Sequence, residues 1–77
     1  MALRDTYRYK MVDGQGSLVK YGITDDPNRR ESENVADGLG IRLRVEGPRV
    51  TRQTALDWEA KKIQGYKVRY GKPPRGN

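Results

Sequence analysis

With no cysteine and no histidine among its 77 residues, this chain does any chemistry with five tyrosines, sixteen Lys and Arg side chains and ten Asp and Glu side chains. That inventory excludes disulfide staples, thiolate nucleophiles, Cys/His zinc sites and Ser-His or Cys-His pairs. The most instructive position is Glu59. Leu56, Ala60 and Ile63, with Ala55 and Tyr66, recur at spacings of three and four, and Glu59 falls inside their stripe. A carboxylate facing the body of a protein must be paired, hydrogen-bonded or bound to a cation, or its pKa rises. A stripe-edge Glu that reaches solvent or meets an arginine accounts for the same pattern.

The net charge of +6 is unevenly distributed. Residues 1–48 carry eight basic and eight acidic side chains. Residues 49–77 carry Arg49, Arg52, Lys61, Lys62, Lys67, Arg69, Lys72 and Arg75 against Asp57 and Glu59 alone, so the whole excess lies in the last third. This basic tract is interleaved with Tyr66 and Tyr70. Such a surface suits nucleic acid, because Lys and Arg displace phosphate counterions and aromatic faces stack on bases. A solvated helix end followed by a soluble tail explains the same composition.

A chain this short makes one domain with a thin core, burying roughly 60–65 % of its unfolded surface. It has no apolar stretch near the ~20 residues of a membrane span and no apolar leader, which predicts a soluble, cytoplasmic protein. Residues 6–12 alternate as a strand, with Tyr7, Tyr9 and Met11 on one side and Arg8 and Lys10 on the other. Asp13-Gly14-Gln15-Gly16 supplies a turn, and Leu18 to Thr24 resumes as the second strand of a hairpin. Gly22 inside that strand marks a bulge or a close approach. Thr24-Asp25-Asp26-Pro27 starts a helix running to about Ala36 and stopping at Gly38, with almost no apolar stripe of its own. Ile41, Leu43 and Val45 mark a third strand, at an edge because Gly47-Pro48 interrupts or ends it. Thr51 caps a second helix reaching about Gln64, with Gly65 or its neighbours closing it and residues 67–77 forming a basic, irregular tail. The expected fold is therefore α+β: a small three-stranded antiparallel sheet with two helices, in the order ββαβα.

Three segments occur in an order that resembles the GIY-YIG nuclease superfamily: Tyr7 to Met11, Leu18 to Arg30 with Tyr21-Gly22-Ile23-Thr24 and Asp26-Pro27-Asn28-Arg29-Arg30, and Ala55 to Ile63. The likeness covers nearly the whole chain, and the ending Pro-Pro-Arg-Gly-Asn is similar to that of some members, where an asparagine lies near the site. It implies metal-dependent cleavage of phosphodiester bonds, typically in DNA. By position, Tyr9 matches the first-motif tyrosine, Arg30 the helix arginine and Glu59 the glutamate that holds one Mg²⁺ or Mn²⁺. Arg30 offers a planar, permanently charged fork for phosphate, although neighbouring Arg29 could take that role. Glu59 could hold Mg²⁺ with water and substrate oxygens completing the shell. A phenol such as Tyr9 needs a nearby cation to act as a base.

Two positions depart from the family. Lys20 stands where the second motif begins with tyrosine, and pleating sends the adjacent Tyr21 to the other face unless a bulge intervenes. Asn34 stands where His or Tyr is common, and an amide moves no protons at neutral pH. Lys20 could compensate by lowering the pKa of Tyr9 or by acting as a base itself. The expected site is thus Tyr9, Lys20, Arg30 and Glu59, with Arg29, Asn34, Lys61, Lys62, Lys67, Arg69, Lys72 and Asn77 as nucleic-acid contacts. Three functions fit: a DNA endonuclease, a module on the same fold that binds nucleic acid without cleaving it, or an accessory factor with an acidic protein partner. A homodimer or a larger parent chain fits equally, and no haem, flavin, nucleotide cofactor or membrane partner is expected.

Overall fold

A computed structural model describes residues 3–35 and 40–77, with backbone alone for residues 32–35. The chain folds as β1 (Tyr7–Val12), β2 (Leu18–Thr24), α1 (Pro27–Val35), β3 (Arg42–Val45) and α2 (Arg52–Tyr70). The strands form one antiparallel sheet in the order β2-β1-β3. This is the α+β, ββαβα layout expected from the periodicities, with β3 at an edge. The end of the first helix, at Ala36 to Gly38, lies outside the described residues.

Local chemistry accounts for each boundary. In the hairpin loop the Asp13 carboxylate accepts the backbone N–H groups of Gln15 and Ser17, both at 2.9 Å, and Gly16 takes φ 82°. Asp26 caps α1: its Oδ1 accepts the Arg29 N–H at 3.1 Å, Pro27 occupies the first helical position, and Thr24 Oγ1 accepts the Asp26 N–H. Gly47, at φ 74°, ends β3, after which pairing with the first strand's line resumes in one bridge between Thr6 and Val50. Thr51 then caps α2 by accepting the Thr54 N–H at 3.2 Å.

Helix α2 corrects the expected boundary at its other end. It passes through Gly65 and stops at Tyr70, where Gly71 adopts φ 80° and donates its N–H to the Lys67 carbonyl. A lone glycine inside a helix costs only about 1 kcal/mol, whereas a left-handed terminal residue is where glycine is favoured. Residues 67–70 are therefore helical, and Lys67 and Arg69 lie at the negative end of the helix dipole.

The core lies on the Tyr9 face of the sheet. Tyr9, Met11 and Ile41 are buried, and Val19 and Leu43 pack against them. Val19 belongs by simple alternation to the other face. The register slips beside it, however, with Lys20 opposite Met11 and Leu18 opposite Val12, and this bulge turns Val19 toward the core. Helix α1 packs against β3, while α2 packs against β2 and β1.

Both free sheet edges are occupied. At β3 the Leu43 N–H donates to Glu31 of α1 at 3.2 Å. At β2 the Gly76 N–H donates to the Val19 carbonyl at 2.8 Å, and the Asn77 side-chain amide bonds both the N–H and the carbonyl of Tyr21, at 3.0 and 2.9 Å. These partners cover part of the edges that would otherwise template strand addition. The last residues thus have no regular secondary structure but are docked: Pro74 is fully buried and Arg75 pairs with Asp13 at 2.7 Å.

Candidate nucleic-acid interface

Strand register places the expected catalytic residues. Tyr9 stands opposite Gly22 and Met11 opposite Lys20, so Tyr9 and Lys20 share a sheet face as diagonal neighbours. The Tyr9 ring lies over Gly22, which explains the strand glycine, and Tyr9 is 2 % exposed. A phenol this buried is a packing residue in this conformation. Lys20 is half-buried, its stem running close beside Gly76.

Tyr21 projects from the opposite face, where its ring meets Trp58 of α2 edge-on at 5.6 Å between centroids. Glu59 follows Trp58 on that helix. The register thus joins Tyr9 to Lys20 but places the helix of Glu59 on the other face. Arg30 is exposed on α1, which packs against β3, at the opposite end of the strand order from β2.

Trp58 also sets the rotation of α2. The inward stripe is Ala55, Trp58, Glu59, Ile63 and Tyr66, with Ala55 fully buried and the others half-buried. Leu56 is 40 % exposed and Ala60 is exposed, which corrects their assignment to the stripe. Glu59 remains inside it and makes no hydrogen bond or ion pair with any described residue. A half-exposed carboxylate in this state suits one-carboxylate Mg²⁺ binding completed by water and phosphate oxygens. Among the described residues no group of three metal-binding side chains surrounds it. Lys62, three residues on, adds a positive charge to the same helix.

The larger feature is a groove of about 470 Å³ between β2 and the C-terminal half of α2. Leu18 and Tyr21 form its strand wall. Lys61, Lys62, Gly65, Tyr66, Arg69 and Tyr70 form its helix wall. The Tyr66 and Tyr70 rings lie 4.5 Å apart and tilted by 42°, as residues four apart on a helix can, and the Arg69 guanidinium stands 5.5 Å over the Tyr70 ring. Among the described residues no acidic side chain lines the groove.

Of the expected nucleic-acid contacts, Lys61, Lys62 and Arg69 therefore come together. Lys67 and Lys72 are exposed on and just beyond the same helix, and Arg29 lies on α1. The side chain of Asn34 lies outside the described residues. Asn77 is held by the backbone of Tyr21 instead of projecting toward a ligand. Leu18, Tyr21 and Gly65 line the groove without being among the contacts expected from the sequence. Tyr21 enters the sequence pattern through the Tyr21-Gly22-Ile23-Thr24 motif and Gly65 as a helix stop, and neither role points to a groove.

The residues nearest the tail also carry the clearest electrostatic perturbation. The backbone N–H of Ser17, the Arg75 guanidinium and the backbone N–H of Gln15 hold the Asp13 carboxyl below its ordinary value. This ion pair fastens the C-terminal residues to the hairpin loop. Among the described residues no helix is long and apolar enough to cross a membrane.

No family model matches the chain, and no curated protein or solved structure matches it.

Proposed function

We propose that this domain binds nucleic acid, using the basic groove between β2 and α2 to hold the sugar–phosphate backbone. The observation that carries this reading is the convergence of Lys61, Lys62 and Arg69 on a groove whose other walls are aromatic and apolar. Cations grouped this way release counterions from phosphates, so affinity falls with salt. The ββαβα layout agrees with the GIY-YIG resemblance, which implies DNA as the partner. In a titration of DNA affinity against salt, log K falls linearly with log salt. Replacing Lys61 and Lys62 together by alanine lowers that slope by about two, one per lost phosphate contact. A slope near zero in the unaltered protein overturns the proposal.

Phosphodiester hydrolysis is the second reading, favoured by Glu59, a carboxylate on the sheet-facing stripe of α2 that no described residue neutralises. Glu59 would hold the divalent ion, which supplies charge stabilisation to a phosphate when bound. Arg30 would bind a phosphate oxygen from α1. This activity requires Tyr9 and Glu59 to act from different sheet faces, or Tyr9 to leave its buried position. Plasmid incubated with the protein and Mg²⁺ or Mn²⁺ is nicked in this reading, and Glu59→Ala abolishes the nicking. Nicking unaffected by that substitution removes Glu59 from the reaction.

A further inference from the structure

We infer that the groove takes single-stranded nucleic acid, with bases stacking on Tyr66 and Tyr70 and phosphates meeting Lys61, Lys62 and Arg69; this rests on the nucleic-acid reading and names its substrate class. Three observations carry it. Tyr70 is 55 % exposed at the end of α2, so its ring contributes little to the core. It stands against the half-buried Tyr66 ring and beside the Arg69 guanidinium. Aromatic rings in a basic groove provide the sequence-tolerant stacking that unpaired bases use. A duplex keeps its base faces stacked inside and can offer such a groove only its phosphates.

Gly65 is the third observation. It sits in mid-helix with an ordinary negative φ, and a Cβ added there would meet nothing within 4 Å. No packing contact therefore requires glycine, although glycine weakens a helix interior. Its position on the groove wall, between the Lys61–Lys62 pair and Arg69, keeps the groove open where any larger side chain would partly fill it.

The test is fluorescence anisotropy of the full chain with labelled oligo(dT), oligo(U) and a duplex, each about 12 nucleotides or base pairs long, at two salt concentrations. Single strands bind about ten-fold tighter than the duplex. Tyr70→Leu lowers single-strand affinity about ten-fold, the loss expected for one stacked base, and Gly65→Leu lowers it by partly filling the groove. Gly65→Leu also raises the melting temperature, because leucine is the better helix former. A preference between oligo(dT) and oligo(U) in either direction supports the inference and identifies the sugar. Equal affinity for duplex and single strand, or full retention of single-strand affinity by Tyr70→Leu, overturns it while leaving the nucleic-acid reading standing. Absence of salt-dependent binding to all three probes overturns both.

Discussion

Tyr9 and Gly22 determine each other. The two residues face one another across the β1–β2 pair, and the Tyr9 ring covers the place where a side chain at position 22 would begin. Gly22→Ala pushes a methyl group into that ring, hydroxyl end first. A displaced ring in a small core costs about 1–3 kcal/mol, as overpacking does. Thermal melting of the variant is expected to show a drop of several degrees, at about 4–8 °C per kcal/mol for a domain of this size. An unchanged melting temperature would mean that Tyr9 moves away freely and is not a fixed packing residue. Glu59 presents the contrary case, a charged side chain that neither packs fully nor meets an ionic partner among the described residues. That difference is why Glu59 stays a candidate for chemistry and Tyr9 is first a core residue.

At the scale of elements, the hairpin loop and the C-terminal segment act as a clasp around β2. Asp13 organises the loop through two backbone N–H groups and reaches Arg75 across 62 positions, while Gly76 and Asn77 complete the strand's free edge. Because the folded-state pKa of Asp13 is depressed, its contribution to stability is present above the ordinary value of 3.8 and is lost as pH falls through the lower folded value. Asp13→Asn keeps an oxygen acceptor for the loop but removes the charge. Denaturant unfolding at neutral pH should therefore find the variant less stable than the parent, with the gap closing below about pH 3.8. A gap independent of pH would assign the effect to loop geometry instead of to the carboxylate. Helix α2 depends equally on its neighbours: Trp58, held by Tyr21, turns Leu56 and Ala60 outward.

The whole molecule is thin, 40 × 31 × 16 Å, with few residues sealed from water. Met11 is 1 % exposed and sits at the centre of the cluster formed with Tyr9 and Ile41. Deleting a buried side chain of this kind costs about 2–5 kcal/mol, a large part of what a small domain has in total. Met11→Ala should consequently lose its cooperative melting transition near room temperature. A sharp transition within a few degrees of the parent would show that the sheet is stabilised mainly elsewhere. The same thinness gives surface charge its importance, since five of the eight basic side chains beyond Pro48 stand on one long helix.

The amino-acid sequence alone determined the order ββαβα, the hairpin, both helix starts and the location of the charge excess. Each of these follows from alternation, capping chemistry or composition within a few neighbouring residues. The end of α2 was not legible in this way, because Gly65 and Gly71 are both plausible stops and only the backbone conformation selects Gly71. Helical spacing places Ala55, Glu59, Ile63 and Tyr66 on the inward stripe, but Trp58 in place of Leu56 and Ala60 is visible only in the fold, where its ring meets Tyr21. Tertiary structure likewise decided that Asn77 completes a strand edge and that Lys61, Lys62 and Arg69 share one groove with Tyr21. Which face a side chain uses depends on the pleat and register of strands brought together from distant parts of the chain, and that pairing exists only in the folded molecule.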